Sequence, residues 1–131
     1  QLKQLNSFVL ARRKIASIYL KELKNDERFI LPKEKINYYH SYHIFPLQVN
    51  FDKIKIDKKE LFKRFKKKGI NLQVHYIPIH LQPFYKKKFG YKVNQFPNAE
   101  KFYRNEISLP IYPELKISDL YKVINELLSI K

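Results

Sequence analysis

One stretch of the chain, residues 69–85 with the sequence GINLQVHYIPIHLQPFY, concentrates side chains that could carry chemistry. It holds two histidines, two tyrosines and two prolines, in a run whose alternation predicts a strand and its exit. Imidazole and phenol groups at a strand end are suited to hydrogen-bonding a polar ligand such as a sugar or a phosphate. The candidate binding residues are therefore His75, Tyr76 and His80.

Strand geometry limits how these three side chains can be used. Alternation puts His75 and Tyr76 on opposite faces, so only one of them can face the core. Pro78 ends the pairing and turns the chain, which allows the His80 side chain to lie at the same end of the strand as His75. The spacing alone fits a structural imidazole near a strand end equally well, so both interpretations of the two histidines stay open at this point.

Other residue combinations give weaker indications of chemistry. His40 and His43 form an H-x-x-H pair, but three positions along a strand put them on opposite faces, and zinc needs three or four converging ligands. The chain has no Cys, only two Gly, no G-x-S-x-G elbow and no Gly-rich phosphate loop. The lysine runs at 66–68 and 86–88 are typical of solvated surface, and no lysine is marked as a Schiff-base former. We predict no metal ligand and no complete catalytic set.

Length, composition and charge restrict the class of protein. A chain of 131 residues with 44% hydrophobic content, ten Phe and ten Tyr can build one domain around a single core. No apolar run approaches the roughly 20 residues that span a bilayer, and the absence of Cys fits a reducing, cytoplasmic setting. The net charge of +15 could indicate nucleic-acid binding, but most of the 27 basic residues are lysine, whereas bidentate phosphate and guanine contacts favour arginine. We interpret the charge as solvated surface.

The periodicity of apolar residues predicts an α+β fold, with three short strands backed by helices on one face. Strands are predicted at residues 40–50, 70–77 and 107–111, and residues 81–96 are predicted to form a loop.

Four helices are predicted between and around these strands. The first is long and amphipathic and covers residues 2–23. The second begins at a capping box formed by Asp57 and Glu60 and ends before Gly69. Asn98 and Ser118 are the predicted caps of the last two helices.

Three segments carry a resemblance to a known family: VHYIPIHLQPFY at 74–85, FPNAEKFY at 96–103 and ISLPIYPEL at 107–115. They resemble the C-terminal domain of the DegT/DnrJ/EryC1/StrS family of sugar aminotransferases. The opening helix resembles the long helix that leaves the family's large domain, and HSYHIFPLQV resembles the first strand of its small domain. Within the family, the first segment is most similar to that of transaminases on the route to pseudaminic acid.

The resemblance implies a fold-type-I enzyme that depends on pyridoxal phosphate, is normally a homodimer, and moves an amino group from glutamate to a UDP-linked 4-keto sugar. It places the Schiff-base lysine and the cofactor-binding residues in the large domain, so no catalytic or cofactor-binding residue is expected in this chain. The small domain contributes the wall of the sugar-nucleotide pocket. The matching positions are His75, Tyr76 and His80, with weaker matches at His43 and Tyr85.

The expected organisation is an inter-domain helix over residues 1–24 and a C-terminal small domain over residues 25–131, with the large domain that binds pyridoxal phosphate absent. The chain contains no Met, and its first residues already lie in a helical pattern. We therefore expect part of a larger enzyme, inactive alone, whose linking helix lacks part of its packing surface. Arg12 and Arg13 match a basic pair on that helix and are predicted to be structural.

Two other functions stay open. One is a free-standing basic module that binds RNA, DNA or an acidic glycan, which requires aromatic side chains interleaved with cations on an exposed face. Here the aromatic residues follow core periodicity more often than they line up with the lysine runs. The other is a non-catalytic domain that pairs with an intact transaminase subunit through the helix at 2–23. We expect neither nucleic acid nor a membrane as a partner.

Overall fold

The computed structural model describes residues 2–131 and confirms the α+β fold. One antiparallel sheet contains three strands in the order β1 (Phe29–Ile30), β2 (Phe45–Val49) and β3 (Glu106–Leu109). The α-helices are α1 (Leu5–Leu23), α2 (Lys58–Lys67), α3 (Pro83–Phe89), α4 (Pro97–Asn105) and α5 (Ile117–Leu128). Short 3₁₀ turns occupy Leu2–Gln4, Phe51–Lys53 and Ile79–Leu81.

The sheet has one apolar face and one face with buried polar groups. Phe45, Leu47 and Val49 are buried on β2, as the alternation predicts, and Leu47 lies opposite Ile107 of β3. The alternate positions point to the other face, where Pro46 lies opposite Ser108 and Gln48 lies opposite Glu106. The polar face is the one that carries the candidate site.

A single cluster of buried side chains joins the apolar sheet face to α1, α2 and α5. The largest of the fully buried helical side chains are Tyr19 and Leu23 from α1, Leu61 and Phe65 from α2, and Leu120, Ile124 and Leu127 from α5. The apolar stripe predicted on the last helix is confirmed, except that Leu128 is 41% exposed at its end.

Helix α1 confirms the long helix predicted over residues 2–23, after a 3₁₀ turn at Leu2–Gln4. Its buried residues, Ile15, Ala16, Tyr19 and Leu23, all lie in its C-terminal half. By contrast, Leu5 and Leu10 in its N-terminal half, and Leu2 in the preceding turn, face solvent. None of the helices within residues 2–131 is both long and apolar enough to cross a membrane.

Helix α2 is bounded as predicted. Asp57 accepts a hydrogen bond from the backbone N–H of Glu60 at 2.7 Å, and Gly69 follows the helix with a φ of +72°. The predicted caps Asn98 and Ser118 are wrong, because each lies inside the first turn of its helix. Pro97 occupies the first position of α4, where its fixed φ suits a helix start.

Three other elements differ from the predictions. The predicted loop at 81–96 contains α3, which Pro83 opens and Gly90 ends with a φ of +69°. Strand β1 is only two residues long, too short to show a periodicity. The predicted strand at 70–77 is not formed; it makes one isolated bridge, between Gln73 and Ser108.

Candidate functional site

Residues 70–75 lie beside β3 without continuing the sheet. Gln73 and Ser108 exchange two backbone hydrogen bonds, at 3.2 and 2.8 Å. In a regular antiparallel pair, the next such exchange would join residues 75 and 106. Instead, the backbone N–H of His75 donates to the side-chain Oε2 of Glu106 at 3.1 Å. Because the carboxylate replaces the main-chain carbonyl as acceptor, the pairing ends after one bridge.

The same carboxylate reaches the His75 imidazole through a serine. Ser108 Oγ lies 2.5 Å from Glu106 Oε1, and His75 Nδ1 lies 2.7 Å from Ser108 Oγ. Glu106 and Ser108 share one face of β3 because they are two residues apart. Both are buried, with exposed fractions of 0% and 4%. We call these three residues the His75 network.

The His75 network borders a cleft of about 510 Å³. The cleft is bounded by the residues before β2, the segment 69–75, the end of β3 with the loop after it, and the first half of α5. We call it the His75 cleft; its polar lining consists of His43, Asn71, Gln73, His75, Ser108, Tyr112, Asp119 and Lys122. The cleft thus brings together His43 and His75 from the sequence prediction, whereas Tyr76 and His80 do not line it.

A cation lies near Glu106 of the network. Lys58 at the start of α2 is half-buried, and its Nζ donates to the carbonyl of Tyr103 at 2.6 Å. Burial lowers the pKa of Lys58, and the nearby negative charge of Glu106 acts in the opposite direction. The carboxylate therefore has a positive group nearby and a hydroxyl toward the cleft.

Tyr76 occupies a different environment from His75. Its side chain is 74% exposed, and its ring meets the His75 ring edge-on at 4.7 Å between centroids. A cis peptide bond joins the two residues. The alternation predicted opposite faces for the two side chains without assigning either to the core. In the structure His75 is half-buried and Tyr76 is exposed, although no regular strand separates them.

His80 is buried and already hydrogen-bonded. Its Nε2 lies 2.9 Å from Oε1 of Glu100 on α4, and its ring lies 4.7 Å from the ring of Phe96. The hydrogen bond from His80 lowers the pKa of Glu100, and the backbone N–H of Asn94 contributes in the same direction. The geometry fits the structural interpretation of His80, and a direct contact with a ligand stays a prediction.

Helix α3 presents aromatic and basic side chains together. Phe84 and Phe89 are 63% and 54% exposed, and Lys88 Nζ lies 5.5 and 5.4 Å from their ring centroids. Tyr85, a weaker candidate, packs against the same two rings at 5.2 and 6.1 Å. On this helix, in a segment predicted to be a loop, the aromatic side chains line up with a lysine run instead of the core.

The two arginines of α1 bind the segment that leads to β2. Arg12 Nε donates to the carbonyl of Ser41 at 3.1 Å, and Arg13 contacts both Glu34 and the carbonyl of His40. These contacts agree with the structural role predicted for the pair. They also place His40 outside the cleft, where its Nδ1 accepts the backbone N–H of Tyr42 at 2.8 Å.

Metal coordination has no geometric support in the described chain. Across residues 2–131, no three His, Asp or Glu side chains converge as a group that could hold an ion.

Sequence reasoning missed the two β3 members of the network and the α5 side of the cleft. Glu106 and Ser108 were not singled out, although they interrupt a short apolar strand at alternate positions. That pattern is a usable signal, because a polar pair on one face of a buried strand needs internal hydrogen-bond partners. Asp119 and Lys122 gave no comparable signal, since helix surfaces commonly carry such charges.

Comparison with known proteins identifies relatives over almost the whole chain. Residues 1–128 match the DegT/DnrJ/EryC1/StrS aminotransferase family. The uncharacterized protein MJ1066 of Methanocaldococcus jannaschii is 45% identical over 125 residues, which are 95% of this chain and 32% of that protein. The UDP-4-amino-4,6-dideoxy-N-acetyl-beta-L-altrosamine transaminase of Campylobacter jejuni is 36% identical over 130 residues, 99% of this chain and 34% of the enzyme.

Solved structures agree with the sequence matches. Helicobacter pylori PseC, an aminotransferase involved in the biosynthesis of pseudoaminic acid, has a TM-score of 0.86 at 27% identity. The match covers 98% of this chain and 34% of PseC. The chain thus spans about a third of the length of these relatives. From the matched residues 1–128 and the shared fold, the chain belongs to the DegT/DnrJ/EryC1/StrS aminotransferase family.

Proposed function

We propose that this chain is the small domain of a sugar aminotransferase that depends on pyridoxal phosphate. In the proposed full-length enzyme, an amino group passes from glutamate to a UDP-linked 4-keto sugar, and the working form is a homodimer. Residues 1–24 would link the two domains and residues 25–131 would form the small one. The relatives named above and the one-third coverage of their length support this division.

The share of this chain in the reaction is to form a wall of the sugar-nucleotide pocket. The observation that carries this proposal is the His75 cleft, where imidazole, amide and phenol groups from separate segments meet. Sugar hydroxyls both donate and accept hydrogen bonds, so such a mixed lining suits them. His75 is the central residue, because the buried carboxylate behind it holds its ring in place.

The other two predicted binding residues take different parts in the proposal. The exposed phenol of Tyr76 can reach a ligand, or a neighbouring domain, outside the cleft. His80 holds the turn after Pro78 against α4 through Glu100, and any direct contact with the sugar nucleotide would use the remaining edge of its ring. We therefore expect His75 to matter most for substrate binding and His80 to matter most for stability.

Pyridoxal phosphate would supply the electron sink for amino transfer when bound. The residues of the His75 cleft do not fit its phosphate group. The lining offers one ammonium, Lys122, and the first turn of α5 beside it carries the carboxylate of Asp119, which repels a phosphate. We assign the cofactor to the large domain of the proposed enzyme and derive no step through it from this chain.

Amino transfer by the longer protein that carries this chain at its C-terminus is the direct test. With a UDP-linked 4-keto sugar and glutamate, we expect formation of the amino sugar. His75→Ala should lower kcat/KM about tenfold or more, as expected for the loss of one substrate hydrogen bond. His40→Ala, a histidine outside the cleft, is the matched control. Absence of any such longer protein, or equal activity of both variants, would contradict the proposal.

A basic binding module is a second candidate, which the exposed rings and Lys88 of α3 favour. Binding of this kind weakens steeply with salt and uses base stacking. Fluorescence anisotropy with a single-stranded oligonucleotide, at about 50 and 200 mM salt, separates the two candidates. A steep salt slope that Phe84→Ala and Phe89→Ala abolish would support the module, and weak binding insensitive to these changes would exclude it.

A further inference from the structure

The hydrogen atoms of the His75 network can be assigned by counting donors. The backbone N–H of His75 can only donate, so Glu106 Oε2 is an acceptor. A serine hydroxyl has one hydrogen, so Ser108 cannot donate both to Glu106 Oε1 and to His75 Nδ1. Either the hydroxyl donates to the carboxylate and Nδ1 carries a proton, or the carboxyl group is protonated and the direction is reversed.

The surroundings favour the first arrangement. Lys58 lies near Glu106 as a positive group, and the backbone N–H of His75 adds a donor to the same side chain. A cation and an N–H donor are the partners that a buried carboxylate requires. With Glu106 as a carboxylate, the Ser108 hydroxyl donates to it, and the serine oxygen accepts from His75 Nδ1–H.

We propose that Glu106 and Ser108 are positioning residues that hold His75 as the Nδ1–H tautomer, so that Nε2 presents a lone pair to a hydroxyl of the bound sugar. Among residues 2–131, no side chain or backbone group is hydrogen-bonded to Nε2. In the neutral ring, that nitrogen is an acceptor, which suits a donor on the ligand. The assignment of the ligand rests on the proposed function, whereas the assignment of the tautomer does not.

Burial makes this arrangement rigid. The two β3 residues exclude water from the network, and the bridge between Gln73 and Ser108 fixes the backbone that carries the imidazole. The charged and titratable groups around the ring come from every neighbouring element: Glu106 on β3, Lys58 on α2, His43 before β2, Tyr112 after β3, Asp119 and Lys122 on α5, and the adjacent Tyr76. The test therefore reads the ring nitrogens directly.

Nitrogen-15 NMR of the histidine rings in the full 131-residue chain tests the tautomer. At a pH where the ring is neutral, we expect His75 Nδ1 to give the shift of a protonated ring nitrogen and Nε2 that of an unprotonated one. The opposite assignment in the unmodified chain would overturn the inference. The measurement requires neither cofactor nor activity.

Two variants separate positioning from simple packing. In Glu106→Gln, the amide oxygen accepts the His75 N–H and the amide nitrogen donates to Ser108, which frees the hydroxyl hydrogen to donate to Nδ1. We expect the His75 tautomer to switch to Nε2–H. Glu100→Gln makes the same change beside His80 and should leave His75 unaltered. A retained Nδ1–H form in Glu106→Gln would contradict the proposal.

Ser108→Ala provides the second measurement and removes only the connecting hydroxyl. We expect the Nδ1–H signal of His75 to be lost or strongly reduced, and Ser118→Ala on the exposed surface of α5 to preserve it. If the tautomer is confirmed but the longer protein transfers no amino group, the proposed function fails while the positioning role stands. If amino transfer is found with an Nε2–H ring, the positioning role alone fails.

Discussion

The guanidinium of Arg13 donates to both carboxylate oxygens of Glu34, 21 residues further along the chain, at 2.7 and 3.1 Å. The same group donates to the carbonyl of His40 at 2.7 Å and lies 4.0 Å from the ring of Tyr39. The backbone N–H of His40 completes the set by donating to Glu34 at 2.6 Å. Helix α1 is thereby fastened to the segment that leads into β2, where the His75 cleft begins.

Glu34→Gln should change how the free energy of unfolding depends on pH in the acid range. The hydrogen bond from Arg13, followed by that from the backbone of His40, lowers the pKa of Glu34 from 4.5 to about 2. A carboxylate whose pKa falls on folding stabilises the native state above its unfolded pKa, and this contribution is lost as the pH falls toward the folded one. Urea unfolding should therefore show a difference between the two proteins at pH 7 that shrinks between pH 4.5 and about 2.

Glu114→Gln is the control for this experiment, because Glu114 is exposed and makes no hydrogen bond within residues 2–131. It removes the same charge without removing the hydrogen bonds that Glu34 makes with Arg13 and His40. A difference between wild type and Glu34→Gln that stays constant down to about pH 2 would contradict a role of the ionised carboxylate.

Tyr19→Phe should change how the free energy of unfolding depends on pH in the alkaline range. Tyr19 is fully buried, and its hydroxyl donates to the carbonyl of Pro110 at 3.0 Å. Burial raises the pKa of Tyr19 above its ordinary value of 10.0, so the native state holds its proton more tightly than the unfolded state. The stabilisation is complete below pH 10 and is lost as the pH rises further.

At pH 7 we expect Tyr19→Phe to lower the free energy of unfolding by about 1 kcal/mol through the lost hydrogen bond. Above pH 10 the difference in unfolding free energy should narrow. Ionisation of Tyr19 then stabilises the unfolded state of the wild type, and the phenylalanine variant has no such group. Tyr38→Phe, at a side chain that is largely exposed, should parallel wild type throughout. Denaturant titrations from about pH 7 to above pH 10 measure this difference. A difference between wild type and Tyr19→Phe that stays constant over this range would contradict the raised pKa of Tyr19.

Two neighbouring leucines of α5 offer a matched test of the core. Leu127 is fully buried, so Leu127→Ala should lower the free energy of unfolding by about 2–5 kcal/mol. Leu128 is 41% exposed, and Leu128→Ala should cost less than about 1 kcal/mol. Equal losses measured by urea unfolding would mean that α5 does not pack as described.

Asp57→Ala should weaken the start of α2. The substitution removes the acceptor for the backbone N–H of Glu60, and we expect a loss of about 1 kcal/mol in unfolding free energy. Asp57→Ser, which keeps a side-chain oxygen, should recover most of that loss. If the serine variant is as unstable as the alanine variant, the cap is not the source of the effect.

Much of the fold could be predicted from local patterns. Helix α1, the alternation in β2 and the stripe of α5 follow from apolar spacing, because each buries one face against the same core. The start of α2 follows from the polar spacing of Asp57 and Glu60. Strand β1 could not, since its two residues carry no period and are ordered by pairing with Val49. The predicted number of three strands is still correct, because the structure gains β1 and lacks the strand predicted at 70–77. The α+β class is therefore unaffected.

The candidate site was only half predictable for a related reason. His75 could be singled out by its residue type and its position before Pro78. Its partners Glu106 and Ser108 lie 31 and 33 residues further along the chain, and only the pairing with β3 brings them to the imidazole. His80 shows the converse, because its spacing suggests a ligand contact while Glu100 already occupies one ring nitrogen.

The alternation along β3 also protects the sheet against misalignment. A shift of β3 by one residue would turn Glu106 and Ser108 into the apolar core and expose Ile107 and Leu109 on the polar face. The misaligned state would bury a carboxylate away from its hydroxyl and amide partners, at a large cost in free energy. The residues that orient His75 therefore also select a single strand register.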